Sequence, residues 1–313
     1  MPAYNIETCD INKECRERGT AITVGTFDGV HTGHKVVLST LRSLAAERGL
    51  RPLAVTFDPH PLAVIAPGRE PLLLDTLARR TARIRACGVE PVVVPFTEEV
   101  RRLTASEWMA RLHADYGAQL LVAGYDNTFG SDCRGMKPSD YKLQGMKSGI
   151  EVIVANEKPG VCSSAIRKAL ERGDVAGANA MLGYDFEIGG RVVHGRHIGT
   201  GLGFPTANVA VPSGRQLPAK GVYAALAYID GDATAYPAVV NIGNNPTVSA
   251  GNPLTVEAHL LDYGQDLYGC DLTLQFVGRI RGELRFESLD ALRKQIAVDC
   301  GAAREALGAL RGL

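Results

Sequence analysis

The stretch of sequence that decides the fold is Ile22-Thr23-Val24-Gly25-Thr26-Phe27-Asp28-Gly29-Val30-His31-Thr32-Gly33-His34. It opens with a β-branched segment, and the apolar residues after it recur at helical spacing, so it predicts a strand, a glycine-rich turn and a helix. At the start of such a helix, backbone N–H groups without helical partners and the helix dipole together favour a bound phosphate. The turn is therefore a candidate phosphate site.

Two histidines lie in this turn about one helical turn apart, so the imidazoles of His31 and His34 can face the same anion. Gly25, Gly29 and Gly33 would let the backbone approach a nucleotide closely. One alternative is a glycine-rich loop whose histidines only cap or pack. Another is a zinc site, but zinc needs about four ligands, and no C-x-x-C pair or third histidine lies nearby.

The turn resembles the H-x-G-H motif of the nucleotidyltransferase superfamily, in the form carried by bacterial bifunctional riboflavin kinase/FAD synthetases. The resemblance implies transfer of a nucleotide without a covalent enzyme intermediate. His31 and His34 would be the catalytic residues, stabilising charge on the ATP phosphates as pyrophosphate leaves. It also assigns ATP and phosphate binding to the rest of the motif, namely Gly25, Phe27, Asp28 and Gly33.

Length and composition limit the protein class. The chain has 313 residues and is 45% apolar, which is enough for two domains with a core each. Lys plus Arg and Asp plus Glu each number 34, so no net charge favours nucleic acid or an anionic membrane. The seven cysteines form no C-x-x-C pair, which is typical of reduced thiols.

No apolar run approaches the roughly 18 residues of a membrane span, and the N-terminus lacks the apolar region of a signal peptide. We therefore expect a soluble cytoplasmic protein that acts on small molecules, with neither nucleic acid nor membrane as a partner. The oligomeric state is left open.

The first half alternates short apolar strands with helical segments, with candidate strands at 22–24, 53–57, 91–96, 119–124 and 151–155. This alternation predicts a doubly wound α/β domain with a parallel sheet, whose ligand site lies beyond the carboxyl ends of the strands. A capping box formed by Thr104 and Glu107 predicts a helix that continues through Trp108 to Tyr116.

The second half has a different pattern, with short strand-like runs separated by Gly, Pro and Asn at 186–193, 221–228, 238–242, 255–261 and 272–280. Regular short strands with turn residues between them predict a small β-barrel. A helix begins after Ser288, a plausible N-cap. We place the domain boundary between residues 182 and 183, so that residues 1–182 form the α/β domain and residues 183–313 form the barrel and its helix.

Two further loops follow predicted strands of the first half. The loop Thr56-Phe57-Asp58-Pro59-His60-Pro61 resembles the family's T-F-[DE]-P-H-P loop, although Asp-Pro and His-Pro are ordinary turn dipeptides. The resemblance implies that the flavin contacts Phe57, Pro59, His60 and Pro61.

The loop Gly124-Tyr125-Asp126-Asn127-Thr128-Phe129-Gly130 resembles the family's G-x-[DN]-F-x-F-G motif. The resemblance implies that Asp126 helps hold Mg²⁺-ATP, the alternative being that it caps a turn. Asn127 would lie on the flavin side, although an aromatic residue is usual at its position.

The segment Ser163-Ser164-Ala165-Ile166-Arg167 begins a helix, and capping is one interpretation of Ser163. It resembles the family's S-S-T-x-I-R motif, which implies that Ser163, Ser164 and Arg167 bind the triphosphate opposite H-x-G-H. Cys162 stands where the motif usually begins with serine, and Ser164 stands where threonine is commoner.

In the second half, Gly195 to Asn208 combines a glycine-rich loop with the sequence P-T-A-N. Thr206 and Asn208 are neutral oxygen donors two residues apart, so in an extended segment both side chains point the same way, towards one Mg²⁺. The stretch resembles the riboflavin kinase motif G-x-x-x-G-x-G-F-P-T-A-N. The resemblance implies that the metal binds Thr206 and Asn208, and that phosphate binds the loop glycines Gly195, Gly199, Gly201 and Gly203.

Glu257 and His259 point to one face of a predicted strand, with Ala258 and Leu260 on the other. This strand resembles the family's x-E-x-H-L-L-D strand, which implies that Glu257 is the general base removing a proton from a primary alcohol. Arg281 resembles part of the R-x-E-x-[KR]-F tail near the flavin, with surface pairing as the alternative. His194 and His197 stay unassigned.

The resemblance extends from about residue 21 to residue 299. It implies a bifunctional enzyme in which the barrel converts riboflavin and ATP to FMN, and the α/β domain converts FMN and ATP to FAD and pyrophosphate, each with its own Mg²⁺-ATP. Two alternatives are a single-activity riboflavin kinase with a diverged first domain, and a non-catalytic flavin-binding protein.

Overall fold

The computed structural model describes residues 18–125, 128–195, 201–244 and 254–311, without the side chains of 309–311. The predicted roles of Asp126, Asn127 and Gly199 therefore fall outside the described residues. Contacts divide the chain into two compact units, which meet in sequence between Val161 and Cys162. Across the described ranges, no helix is long and apolar enough to cross a membrane.

The first unit alternates strands with helices. Its strands are β1 (Thr20–Val24), β2 (Arg51–Asp58), β3 (Glu90–Pro95), β4 (Ala118–Ala123) and β5 (Glu151–Val154). Its helices are α1 (Thr32–Arg48), α2 (Pro61–Ile65), α3 (Leu77–Ala86), α4 (Glu98–Arg102), α5 (Ala105–Tyr116) and α6 (Pro138–Lys147). The capping box of Thr104 and Glu107 forms at the start of α5, as predicted.

The strands form a parallel sheet in the order β3-β2-β1-β4-β5, which confirms the doubly wound α/β prediction. The chain steps outward from β1 to β3 and then returns to the other side of β1 with β4. The order therefore reverses between β1 and β4, the point at which sheets of this kind bind ligands beyond the carboxyl ends of their strands.

Alternating side chains of the sheet enter two separate cores. Ile22 and Val24 pack with Trp108 and Leu112 of α5 on one face. On the other face, Ala21 packs with the buried residues of α1, namely Val37, Leu38, Leu41 and Ala45. Both faces of the sheet are thus covered by helices, as its almost continuously apolar strands require.

The second unit begins with helices α7 (Ser163–Glu171) and α8 (Val175–Leu182) and ends with helix α9 (Leu289–Arg311). Between them lie β6 (Glu187–Val193), β7 (Ala207–Ala210), β8 (Gly221–Ile229), β9 (Tyr236–Asn244), β10 (Leu254–Leu260) and β11 (Asp271–Arg281). The strands close into an antiparallel barrel in the order β10-β7-β6-β11-β8-β9, which confirms the predicted barrel.

Helix α9 packs on the barrel through Cys300, Ala303 and Leu307, which meet Val222 and Leu226 of β8. The predicted N-cap of this helix forms, because Ser288 Oγ accepts the backbone N–H of Ala291 at 3.2 Å. Strand β7 begins at Ala207 and so contains the last two residues of the P-T-A-N segment, while Pro205 and Thr206 lie just before it.

Helices α7 and α8 belong to the barrel unit by their contacts. Ala219 N donates to Leu170 O at 2.8 Å, and Asn179 binds both Phe186 N and Phe276 O, at 2.8 and 2.9 Å. The contact division therefore falls before α7, whereas the sequence predicts a boundary after α8, between residues 182 and 183. As a division between functional domains, the boundary at 182 and 183 stays a prediction.

Candidate active sites

The turn after β1 brings the two histidines together. His31 is the N-cap of α1, and its Nδ1 accepts the backbone N–H of His34 at 3.3 Å. The two imidazoles stack with their centroids 3.7 Å apart and their planes 17° apart. The two rings are thus adjacent at the start of the helix, and their facing a common anion stays a prediction.

His34 lies in an apolar setting. The ring of Phe27 meets it edge-on at 5.1 Å, and its own Nδ1 is buried without a hydrogen-bond partner among the described residues. Burial lowers the pKa of His34 well below its ordinary value of 6.5, and the neighbouring His31 lowers it further. At neutral pH the free protein therefore holds His34 as an uncharged imidazole.

The backbone of this turn is strained. Phe27 and Val30 adopt left-handed conformations with φ of 48° and 34°, which are unfavourable for aromatic and β-branched residues. Gly33 allows a close approach of the His31 ring, since a Cβ there would lie 3.1 Å from His31 Nδ1. Such a turn persists only because surrounding contacts hold it.

Asp28 is one of the residues that hold the turn. Its carboxylate is 1% exposed and accepts backbone N–H groups from Leu74, at 2.9 Å, and from Asp75, at 3.1 Å. Gly25 N donates to Val55 O at 3.0 Å and so continues the sheet. These contacts give Asp28 a positioning role, while contact of Gly25, Phe27, Asp28 or Gly33 with ATP stays a prediction.

The loop after β2 lies beside this turn. Thr56 Oγ1 donates to Thr26 O at 3.1 Å and joins the two segments. A cis peptide bond links Asp58 to Pro59, and His60 Nδ1 accepts the backbone N–H of Leu62 at 3.2 Å as the N-cap of α2. The predicted flavin contact of His60 and Pro59 is untested, but His60 has a defined capping role.

A cleft of about 780 Å³ opens between these segments in the first unit. Gly25, Phe57, His60 and Pro61 from the predicted sites line it, together with aromatic and aliphatic side chains, among them Leu62, Ile65, Phe96, Val100, Leu103, Trp108 and Phe129. The ring of Phe57 lies 5.2 Å from Phe96 and 6.0 Å from Trp108. An aromatic cleft of this kind suits a flat ring system.

The indole Nε1 of Trp108 is buried in this wall without a hydrogen-bond partner among the described residues. Tryptophan N–H groups usually find a partner when buried. A carbonyl oxygen of a ligand could provide one, so Trp108 is a candidate ligand contact that the sequence placed only in a helix.

Sequence reasoning also missed Arg80 of α3, which donates to the backbone of both loops. Its Nη1 donates to Thr26 O at 3.0 Å and its Nη2 to Phe57 O at 2.7 Å. One signal was present, because Arg80 lies four residues before the buried Ile84 and therefore on the apolar face of its helix. Charged residues are rare on such a face unless they are paired.

The predicted phosphate segment Ser163, Ser164 and Arg167 lies at the start of α7, in the second unit. Ser163 is not the N-cap; Cys162 occupies that position and makes no side-chain capping bond. Cys162 Sγ instead lies 3.1 Å from Ser164 Oγ. Triphosphate binding by this segment stays a prediction.

In the barrel, strand register places Glu257 in a row of polar side chains. Glu257 of β10 pairs with Asn208 of β7 on one side and with Asn241 of β9 on the other. Directly paired residues of neighbouring antiparallel strands have their Cβ atoms about 5 Å apart. Glu257 and His259 are half-buried while Ala258 and Leu260 are buried, so the alternation predicted for β10 is confirmed.

Two contacts hold the P-T-A-N segment against β10. His259 Nδ1 lies 2.7 Å from Pro205 O, and the ring of Phe204 meets His259 edge-on at 5.5 Å. Gly195 is needed here, because a Cβ at its position would lie 1.8 Å from Nδ2 of Asn208. His259 and Gly195 therefore fix the segment that carries Thr206 and Asn208.

A cleft of about 610 Å³ opens over this face of the barrel. Its polar lining includes Thr206, Asn241, Glu257 and Arg281. Its apolar lining includes Leu202, Phe204, Val222, Val239, Leu284, Phe286, Leu292 and Ile296. The cleft therefore combines the Glu257 carboxylate and the Thr206 hydroxyl with a largely apolar wall, which suits a ring with a polar tail.

Arg281 is held by helix α9. Its Nη2 lies 2.7 Å and its Nε 3.0 Å from the carboxylate of Asp299, which is 2% exposed and also accepts from Gln295 at 2.9 Å. Arg281 therefore forms an ion pair, which was the alternative to flavin binding, but its partner Asp299 is buried rather than on the surface. The sequence did not single out Asp299, which stands among the charged residues of an amphipathic helix.

A second, smaller cleft of about 340 Å³ borders the same P-T-A-N segment. His194 stacks on Tyr268 at its edge, with ring centroids 3.7 Å apart, so His194 has a partner that the sequence did not suggest. Thr206 lines this cleft and the 610 Å³ cleft alike. His197 falls outside the described residues.

The donor chemistry of the P-T-A-N segment fits magnesium. Thr206 and Asn208 offer neutral oxygens, and Mg²⁺ is commonly held by few protein ligands together with water and substrate phosphates. No cluster of three or more His, Cys, Asp or Glu side chains capable of holding a metal occurs in the described part of the chain.

Two glycines predicted to bind phosphate, Gly201 and Gly203, lie in open space. A Cβ added at either position would have no non-neighbouring atom within 4 Å.

Two family models match the chain: FAD synthetase over residues 13–164 and riboflavin kinase over residues 182–307. A bifunctional riboflavin kinase/FMN adenylyltransferase of Pseudomonas fluorescens is 39% identical over 302 residues, which cover 94% of each chain. The protein of the same description from Escherichia coli K12 is 38% identical over 302 residues, covering 93% of this chain and 94% of the relative.

Among solved structures, one described as a macrolide-efflux protein from Streptococcus pneumoniae has a TM-score of 0.81 and 31% sequence identity. The match covers 91% of this chain and 94% of that one. Efflux is a description of that protein alone.

Proposed function

Since the chain belongs to the family of bifunctional riboflavin kinase/FMN adenylyltransferases, it is an enzyme of flavin cofactor biosynthesis, and we propose which of its residues serve each of the two reactions. The resemblance stated from the sequence is thereby confirmed, and both enzymatic activities with it. A diverged single-activity kinase and a non-catalytic flavin-binding protein are the weaker alternatives.

In the barrel, Glu257 is the general base. Its carboxylate faces the 610 Å³ cleft, where the apolar wall receives the flavin ring and the ribityl chain extends towards β10. Glu257 takes the proton of the terminal hydroxyl, whose oxygen bonds to the γ-phosphorus of ATP as the bond to ADP breaks. The row of Asn208 and Asn241 beside Glu257 gives the carboxylate polar neighbours.

ATP lies on the other side of Thr206. The 340 Å³ cleft there has the stacked rings of His194 and Tyr268 at its edge, a surface on which an adenine can pack. Thr206 and Asn208 would hold Mg²⁺ between the two clefts. The ion supplies neutralisation of phosphate charge when bound.

In the first unit, the 780 Å³ aromatic cleft receives the flavin ring of FMN. An oxygen of the FMN phosphate bonds to the α-phosphorus of ATP, and the bond to pyrophosphate breaks. His31 and His34 donate hydrogen bonds to the phosphates as negative charge builds up there. No side-chain nucleophile is needed for this in-line transfer.

The observation that carries the proposal is that each unit has its own flavin-sized cleft. Glu257 lines the cleft of the barrel, and Gly25 and Thr26, from the turn that leads to His31 and His34, line the cleft of the first unit. The test supplies the purified chain with riboflavin, Mg²⁺ and ATP and separates the flavins by chromatography. FMN followed by FAD is expected. FMN without FAD, and no pyrophosphate release from FMN and ATP, would support the single-activity kinase; no turnover at all would support the binding protein.

We also propose a Mg²⁺ requirement and a cytoplasmic location. Removing the metal with EDTA is expected to stop both reactions, and adding Mg²⁺ to restore them. The cysteines in the described part of the chain are all free thiols, which fits a reducing compartment. Fractionation of cells with an antibody against the chain tests the location.

A further inference from the structure

A buried group of charges lies beneath the histidine-bearing turn of the first unit. Arg80 is 4% exposed, Asp28 is 1% exposed and Asp75 is 2% exposed. Arg83 Nε contacts Asp75 Oδ2 at 3.1 Å. Removing charges from water is unfavourable unless they are paired and hydrogen-bonded, so the contacts of Arg80 indicate what its burial achieves.

Arg80 joins two loops through their backbones. Its Nη1 donates to Thr26 O at 3.0 Å, just after β1, and its Nη2 donates to Phe57 O at 2.7 Å, near the end of β2. Thr56 Oγ1 donates to the same Thr26 carbonyl at 3.1 Å. The Thr26 carbonyl lies beyond the end of β1, and the Phe57 carbonyl lies near the end of β2. At these two carbonyl oxygens, the guanidinium of Arg80 provides the N–H donors that a longer neighbouring strand would otherwise provide.

The turn in return holds the helix that carries Arg80. The Asp28 carboxylate accepts N–H groups from Leu74 and Asp75, immediately before α3 begins. Burial lowers the pKa of Arg80, and the charges of Asp28, Asp58 and Asp75 oppose this shift. Turn and helix thus depend on each other through two sets of charge-assisted hydrogen bonds.

We propose that Arg80 is a positioning residue for adenylyl transfer, setting the spacing between the turn that leads to His31 and His34 and the end of β2 at Phe57. The inference rests on the proposed function of the first unit. Thr26 and Phe57 both line the 780 Å³ cleft, so Arg80 acts on the reaction through the walls of the flavin site. A misplacement of about 1 Å in such a site lowers a rate by about a hundredfold.

The test compares Arg80→Met, Arg80→Gln and Arg80→Lys with Arg85→Met, all in the full chain. Methionine keeps the length of the side chain without charge or donors, whereas lysine keeps both. Arg85 is the matched control, because it lies on the same helix and is exposed, with a 3.7 Å contact to Glu90. Riboflavin phosphorylation by the second unit is measured in the same samples.

For Arg80→Met and Arg80→Gln, we expect kcat for FAD formation from FMN to fall by about tenfold to a hundredfold, with riboflavin phosphorylation unchanged. Arg80→Lys should recover most of kcat, and Arg85→Met should match the wild type. Urea unfolding followed by the fluorescence of Trp108, the one tryptophan of the chain, measures the folded fraction by which each rate is divided.

Unchanged kcat per folded molecule in the methionine and glutamine variants overturns the inference, and so does a lysine variant as slow as methionine. If both uncharged variants fail to fold, Thr56→Val removes the other side-chain donor to Thr26 O, and a kcat equal to the wild type there overturns it. A wild-type chain that makes no FAD would instead overturn the proposed function. If the wild-type chain makes FAD and Arg80→Met makes it equally fast, only the role of Arg80 is refuted.

Discussion

The two halves of the protein place their proposed catalytic groups in opposite ways. In the first, His31 and His34 lie in a turn beyond β1, where two non-glycine residues adopt left-handed backbone. In the second, Glu257 lies inside β10, and strand register sets it beside Asn208. A turn depends on contacts from elsewhere in the fold, whereas hydrogen-bonded strands hold their own side chains in position.

This difference teaches where each half is sensitive to substitution. In the barrel, a change to a cleft-facing side chain alters the chemistry and leaves the strands in place. In the α/β unit, a change to Arg80, which touches no substrate in the proposed reaction, alters the geometry of the turn.

The largest effect is expected for Glu257→Gln. The amide keeps the shape of the side chain but has no proton affinity, so FMN formation should fall by about a thousandfold, as is typical for loss of a general base. FAD formation from supplied FMN should be unchanged. Chromatography of flavin products from riboflavin, and separately from FMN, measures both.

Glu283→Gln is the matched control for this variant, since Glu283 lines the same 610 Å³ cleft. It should change FMN formation by less than about threefold, because no proton transfer depends on it. If both variants lost the same amount of FMN formation, the reaction would depend on the negative charge of the cleft and not on a general base at Glu257.

His31→Asn should lower FAD formation by about a hundredfold, the usual loss when one donor to a developing charge is removed. Asparagine is a good N-cap, so it replaces the capping role of His31 on α1 while removing the imidazole. FMN formation should be unaffected. Pyrophosphate release from FMN and ATP is the measurement.

His113→Asn serves as the control, because His113 is an exposed histidine of the same unit. Its variant should retain the wild-type rate of FAD formation. Full activity of His31→Asn would instead show that the residue acts only as a helix cap, and the turn would lose its catalytic interpretation.

Gly195→Ala should slow FMN formation by about tenfold, since the new Cβ displaces the Asn208 side chain that lies 1.8 Å from its position. The effect should appear mainly as a higher Mg²⁺ requirement. Gly278→Ala is the control, because nothing lies within 4 Å of the Cβ added there. If both variants required the same Mg²⁺ concentration, Asn208 would not be a ligand of the metal.

The smallest effect concerns acid stability of the first unit. The pKa of His34 is lowered in the folded state, so below pH 6.5 the unfolded chain takes up a proton that the folded chain does not. The contribution of His34 to the free energy of unfolding is therefore complete above pH 6.5 and decreases as the pH falls below 6.5. Urea midpoints followed by Trp108 fluorescence should decrease accordingly, and less so in His34→Asn.

Much of the α/β unit was predictable because its signals are local. The apolar strands, the capping box at Thr104 and the turn around His31 each depend on residues close in sequence. Strand ends shifted by one or a few residues; the strand predicted at 53–57, for example, extends over Arg51–Asp58. Hydrogen bonding to neighbouring strands decides such ends, and sequence periodicity does not record it.

The interactions between distant segments were not predictable. Arg80 reaches Thr26 across 54 positions, and Arg281 reaches Asp299 from a strand to a helix. The assignment of α7 and α8 to the barrel unit likewise depends on contacts such as that of Asn179 with Phe276. Each requires a partner that only the folded chain brings close.

The amino-acid sequence alone was enough to predict the order of elements and the two-part architecture and to propose the catalytic residues, because hydrophobic periodicity and short motifs act over a few residues. Only the tertiary structure decided that His31 stacks on His34, that Glu257 stands between two amides and that buried Arg80 joins two loops. Those arrangements depend on contacts between residues far apart in sequence and on burial. Burial strengthens hydrogen bonds and makes unpaired polar groups unfavourable, so buried polar groups hold their neighbours in position.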